Sequence, residues 1–110
     1  MKRKNILTMK KITRMWHGMT KAEHADEYLK YVEETGMKDY RNIKGNLSSK
    51  LLRRLEGNVC HFLTVTEWDS YESIKKFAGN DYQKARYYPE DQKYLLKFEE
   101  YVVHYETFEY

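Results

Sequence analysis

Between Val59 and Trp68 the chain runs through Phe62-Leu63-Thr64-Val65-Thr66, reaches Trp68, and passes straight into Asp69-Ser70-Tyr71-Glu72. A short β-branched and aromatic run bounded by turn residues predicts a strand, and the acid–serine pair after it predicts a helix start. Alternate residues of a strand face opposite sides. His61, Leu63 and Val65 therefore share one face, and Phe62, Thr64, Thr66 and Trp68 share the other. An antiparallel sheet with one wet side alternates apolar with charged or strongly polar residues. Neither row here does so, so both faces of the sheet need cover.

The remaining elements follow from the same reading. Lys10 to Trp16 predicts a first strand, with Ile12, Arg14 and Trp16 on one face and Lys11, Thr13 and Met15 on the other. Thr20-Lys21-Ala22-Glu23 matches a capping box. Ala22, Ala25, Leu29 and Val32 then recur at helical spacing, and Gly36 suits the position just past a helix end. Gly45 to Glu56 predicts a second strand, joined to the third by a turn at Glu56-Gly57-Asn58. A second helix from Asp69 or Ser70 buries Ile74 and Phe77 and stops at Gly79-Asn80-Asp81. Tyr82 to Tyr87 predicts a helical turn, Pro89 opens a short helix to Lys93, and Glu100 to Phe108 predicts a last strand. The order β-α-β-β-α-β is the α+β, ferredoxin-like arrangement, an antiparallel sheet with its helices on one face. Residues 10–110 are expected to form one domain, since 110 residues supply a single core, and residues 1–9 a basic tail.

Helices on one face leave the other uncovered, and a second copy is the simplest cover for it. A homodimer through the sheet face is therefore expected, closing into a dimeric α/β barrel. Charge narrows the partners further. Seven basic residues precede the first acid, Glu23, and the rest holds 13 basic against 17 acidic residues. A nucleic-acid binder carries its basic patch on the folded body, so this distribution argues against nucleic acid. No run approaches the roughly 18 apolar residues of a membrane span, and Ile6-Leu7-Thr8-Met9 is too short for a secretory core. The lone Cys60 rules out an internal disulfide and a CxxC metal site, and makes a reducing, cytoplasmic setting the expectation. His17, His24, His61 and His104 show no ligand spacing, so no metal is expected. The absence of a glycine-rich phosphate loop argues against a nucleotide or conventional flavin.

Arg14-Met15-Trp16-His17-Gly18, Gly45-Asn46, Phe62 through Ser70, Tyr87-Tyr88-Pro89-Glu90-Asp91 and His104-Tyr105-Glu106 resemble the antibiotic biosynthesis monooxygenase domain. The likeness spans Ile12 to Glu106. It implies a dimeric α/β barrel with a pocket between the sheet and the helices of each subunit. It also implies chemistry drawn from monooxygenases of polycyclic aromatics or quinols, which need no cofactor, or from haem degradation. The haem-degrading relatives use an asparagine, a tryptophan and a haem-ligating histidine. At the matching places this chain has Arg14 or Trp16, Phe77, and Arg86 or Tyr87, so none of those residues carries over.

Candidate site residues follow. His104, alongside Val102 and Glu106 on the last strand, is the candidate base, since a neutral imidazole beside a pocket takes a proton from a phenol. It is equally readable as a hydrogen-bonded core histidine. Trp16 offers a stacking wall at the end of the first strand, with His17 at the mouth. Tyr87 and Tyr88, with Tyr94, lie where they lid a pocket or pack across a seam. Arg14 balances either a ligand anion or, in a structural pair, Glu67 or Glu106. Trp68 is the remaining aromatic candidate, at the strand–helix junction. The expected ligand is a small aromatic or quinol-like molecule. The expected activity is a cofactor-independent monooxygenase; alternatives are a non-catalytic or stress-related binding barrel and, third, a haem degrader.

Overall fold

The alternation noted between Val59 and Trp68 extends across both central strands. The computed structural model describes residues 10–110, and the expected basic tail at 1–9 lies outside the described residues. Strand β1 spans Lys11–Lys21 and leads through a 3-10 turn, Ala22–His24, into helices α1 (Ala25–Glu34) and α2 (Gly36–Asn42). Strands β2 (Asn46–Glu56) and β3 (Val59–Trp68) follow, then α3 (Tyr71–Ala78), a short α4 (Asp91–Tyr94) and β4 (Val103–Thr107). The sheet order is β2-β3-β1-β4 with every pairing antiparallel. This is the α+β, ferredoxin-like topology with the helices on one side.

Beneath the helices, Ile12, Arg14, Trp16 and Thr20 of β1 meet Cys60, Phe62, Thr64, Thr66 and Trp68 of β3, all buried. The helices answer with Ala25, Tyr28 and Val32 from α1, Met37 and Tyr40 from α2, and Ile74 and Phe77 from α3. Phe62, Trp68 and Ile74 are fully buried, each worth roughly 1.5–3 kcal/mol of hydrophobic stabilisation. The other face carries Met15, His17 and Met19 of β1 beside His61, Leu63 and Val65 of β3, half-buried. Its outer strands add Leu52, Val103 and Tyr105, at 46%, 49% and 54% exposure. A single protomer thus leaves an apolar band across this side.

Several local expectations change. Strand β1 runs five residues past Trp16 because β3 offers partners as far as the pairing of Lys21 with Val59, so Trp16 and His17 lie within the strand. The capping box does not form. Thr20 is buried in β1 with its hydroxyl donating to the Lys21 carbonyl at 2.9 Å, and the entry into α1 has no side-chain cap. Gly36 opens α2 instead of ending α1. The break falls at Thr35, whose hydroxyl donates to the Tyr31 carbonyl at 2.7 Å. Residues 82–87 form no helix. Backbone bonds from Ala85 to Glu100 and from Val102 to Gln83 tie them to the approach to β4, and that strand is shorter than expected because β1 pairs with it only over Lys11–Met15.

The junction after β3 forms as read. Ser70 accepts from the Ser73 amide at 3.2 Å, and Gly79 ends α3 with φ of 86°, a left-handed conformation costly for other residues. No helix among the described residues is long and apolar enough to cross a membrane.

Candidate functional site

Where α1 and α2 diverge from the sheet, a hollow opens over Trp16 and Thr64, walled by Tyr28 and Tyr40 and covered by Arg86, Tyr88 and Asp91. Its inner volume is about 30 Å³, within a hollow of about 330 Å³ counted to its open mouth. The inner part holds one water. Gly18 keeps Trp16 in position, because a Cβ there would stand 2.5 Å from Trp16 Cη2.

Asp91 is the buried acid of the hollow, at 4% exposure. Its carboxylate accepts from the Tyr28 hydroxyl at 2.8 Å and from the Tyr88 amide at 2.6 Å. Burial pushes this carboxyl above the usual range, against the pull of those two bonds. The Tyr28 phenol is pushed up by burial and then by Asp91. The Tyr88 hydroxyl donates to Asp39 at 2.5 Å and is raised by burial and by that carboxylate. Tyr31 Oη accepts from the Glu90 amide at 2.9 Å, and the Tyr94 hydroxyl donates to Glu27 at 3.0 Å. Four phenol oxygens therefore fasten the segment from Tyr88 to Tyr94 over the hollow.

Behind the wall sits Arg14, 2% exposed. Neither expected ion pair forms. Glu67 lies on the open face, accepting from Ser48 at 2.9 Å and lying 3.9 Å from Lys11, while Glu106 holds Lys10 at 2.7 Å. Among the described residues no carboxylate lies within ion-pair distance of Arg14. Its Nη2 donates to the Lys84 carbonyl at 3.3 Å, its guanidinium lies 5.4 Å from the Phe77 ring centre, and its buried Nε has no partner. Burial pulls its pKa down, yet a guanidinium remains charged. The indole N–H of Trp16 is likewise buried without a partner.

His104 does not line the hollow. It pairs across the sheet with Arg14 and lies between the rings of Tyr71 and Tyr82, at 5.8 and 5.3 Å. Burial, then the Arg14 charge, pushes its pKa down to about 4, and its Nε2 is unpartnered. Tyr87 sits at the rim, donating to the Glu99 carbonyl at 2.5 Å with its ring edge-on to Trp16. Trp68 is fully buried away from the hollow, its indole N–H bonded to Thr66 at 2.8 Å. Of the residues chosen from sequence, Trp16 and Tyr88 therefore line the hollow, while Arg14, Tyr87, His104 and Trp68 lie outside its lining. Asp91, Tyr28, Tyr40 and Arg86 were missed. The signal for Asp91 was faint: the second of two acids that follow the only proline, Pro89.

The open face holds the second unforeseen group. His17 and His61, 44 positions apart in sequence, meet through Nε2 and Nδ1 at 2.9 Å with rings stacked. Glu99 flanks the pair at 2.5 Å from His17 Nδ1, and Glu56 at 2.8 Å from His61 Nε2. Among the described residues no group of three or more histidine, cysteine or acidic side chains is arranged to hold a metal ion. The residues of the hollow also do not suit haem: no histidine or cysteine lines it, and its inner volume is far below that of a porphyrin.

No protein-family model matches the chain, and no curated protein matches it. Solved structures do, over nearly its whole length. A Bacillus cereus protein provisionally designated an antibiotic biosynthesis monooxygenase superposes with a TM-score of 0.53 at 12% identity, covering 91% of this chain and 92% of its own. A haem degrader from Mycobacterium tuberculosis, with two haems in its active site, gives 0.56 at 20%, covering 87% and 94%. A Streptomyces coelicolor monooxygenase in complex with nanaomycin D gives 0.54 at 9%, covering 96% and 92%. At these identities the likeness is one of fold: the chain has the ferredoxin-like fold of antibiotic biosynthesis monooxygenase structures.

Proposed function

We propose that the protein is a monooxygenase-like enzyme that oxidises a small, ionisable aromatic or quinol with molecular oxygen and no cofactor, working as a homodimer through its open sheet faces. The observation that carries this reading is Arg14, a buried cation behind the wall of the hollow with a free N–H and, among the described residues, no carboxylate partner, two positions along β1 from Trp16, whose indole N–H is also free. Unpaired buried donors each cost about 1–3 kcal/mol, a cost relieved by an acceptor brought in from outside. A phenolate is such an acceptor, and a ring is what Trp16, Tyr28, Tyr40 and Tyr88 are suited to hold.

The chemistry follows from the charges. Asp91, its basicity raised by burial, accepts the substrate proton better than an ordinary carboxylate does. The field of Arg14 stabilises the resulting electron-rich anion, and this anion reduces dioxygen. A methylene substrate then gains one oxygen atom as a carbonyl while the other leaves as water. His104, kept neutral, leaves the charge of Arg14 undiminished. Because the inner hollow holds only a water, substrate entry requires the segment from Tyr88 to Tyr94 to swing out on its phenol bonds. The bound nanaomycin D of the Streptomyces neighbour supports an aromatic ligand in a pocket of this fold.

Oxygen uptake by purified protein with quinols and anthrone-like compounds tests the reading. Asp91→Asn, which removes the basic carboxylate and keeps one of its two acceptor oxygens, is expected to lower uptake at least about a hundredfold. Uptake lost in His104→Ala and kept in Asp91→Asn would return the base to His104. Tight binding without uptake would favour the second reading, a non-catalytic binding barrel.

A further inference from the structure

Four of the five glycines in the chain have a backbone or packing reason to be glycine. Gly45, Gly57 and Gly79 have positive φ, and Gly18 is crowded by Trp16. Gly36 has neither reason. It is buried in the first turn of α2 and its φ is not positive. A Cβ there would stand 3.8 Å from Tyr88 Cε2 and 3.9 Å from Tyr40 Cε2, ordinary contact distances. Alanine therefore fits the fold at this position, and a helix favours it over glycine. What Gly36 supplies is room, because it lines the hollow between those two rings.

Helix geometry shapes that room into a slot. Residues three and four apart share one face of a helix, so Gly36, Asp39 and Tyr40 look the same way. Tyr88 reaches across this face to donate to Asp39 at 2.5 Å, which brings its ring over Gly36. Tyr40 is the fixed wall, its ring centre 4.6 Å from that of Phe77 and 6.1 Å from that of Trp68. Tyr88 is the movable wall, since it belongs to the segment that covers the hollow. The gap between them is one carbon wide.

We propose that Gly36 is the specificity-determining residue of the hollow, its slot holding the carbon of the substrate that lies opposite the ionised oxygen. The inference rests on the reading of the hollow as an aromatic site, and narrows its substrate to phenols with a carbon substituent opposite the hydroxyl. Orientation follows from the layers. Trp16 belongs to the sheet and Gly36 to the helices, and layers packed through side chains lie roughly 10 Å apart. A ring whose oxygen sits beside Trp16 and Arg14 points its far side at α2. A hydrogen on that side leaves the slot short of contacts, and a carbon fills it.

NMR titration of the full chain with phenol and with 4-methylphenol measures this. The wild type is expected to bind 4-methylphenol at least about fourfold tighter, the worth of one buried methyl group. Gly36→Ala is expected to bring that ratio to one or below while phenol binds as before. The Tm of the variant is expected to be unchanged or about 2–5 °C higher, because a glycine that serves only the ligand is no asset to the fold. A ratio equal in wild type and variant overturns the role of Gly36 and leaves the hollow as the site. A Tm that falls by several degrees, or a variant that does not fold, overturns it as well, since the glycine then serves the backbone. A wild type that binds neither phenol overturns the reading of the hollow itself, and the slot with it.

Discussion

Arg14 and His104 face each other across the β1–β4 pair, and their energetics are linked. His104 with a pKa of about 4 binds a proton less readily folded than unfolded, where a histidine titrates near 6.5. As pH falls from about 6.5 towards 4, the unfolded chain gains a proton that the folded chain refuses, so stability is lost in that window. Urea unfolding at pH 7 and pH 5 is expected to show a loss on the order of 1–2 kcal/mol, allowing for the screening of a half-buried group. His104→Gln is expected to remove that part of the loss. Arg14→Met is expected to leave unfolding free energy unchanged or about 1 kcal/mol higher, because an apolar side chain carries no desolvation cost. The same substitution is expected to weaken binding of an anionic aromatic by about tenfold or more, measured by fluorescence titration against a neutral analogue. Stability that rises while anion affinity falls separates a ligand role from a structural one.

The junction between β3 and α3 was the most legible part of the chain, and its geometry explains why. Ser70 caps the helix, Asp69 accepts from the Ser73 hydroxyl at 2.6 Å, and Gly45 lies close against both with φ of 104°. A Cβ at Gly45 would meet Ser73 Oγ at 2.0 Å. Gly45→Ala is therefore expected to cost more than about 2 kcal/mol and Ser70→Ala about 1 kcal/mol, both measured by urea unfolding. Signals of this kind are local, written within a few residues of their effect. The misread elements were decided from further away. Thr20 sits in a strand instead of a capping box because Cys60 pairs with it, and residues 82–87 make one turn and no helix because residues 100–102 bond to them. The hollow follows the same rule. Trp16 and Tyr88 are aromatic and drew notice, whereas Asp91 gains its character from burial against partners that include Tyr28, 63 positions away. Arg14 was legible as a cation on an apolar strand, but its lack of an acid partner depends on Glu67 occupying the other face and Glu106 holding Lys10.

For the whole molecule, the two sides of the sheet ask for different partners. The open side is expected to hold a second copy. Leu52→Glu with Val103→Glu, changing two exposed positions, is expected to convert a sedimenting dimer to a folded monomer with unchanged helical circular dichroism. The covered side is closed by Tyr28, Tyr31, Tyr88 and Tyr94, whose phenol oxygens pin the strap above the hollow. Prying it up exchanges those polar contacts for others with water. A guest bearing its own hydroxyl or carboxylate can substitute for those pins as it arrives. If the hollow takes the aromatic anion proposed above, admission and recognition become a single event, and molecules lacking such a group are expected to be turned away whatever their size.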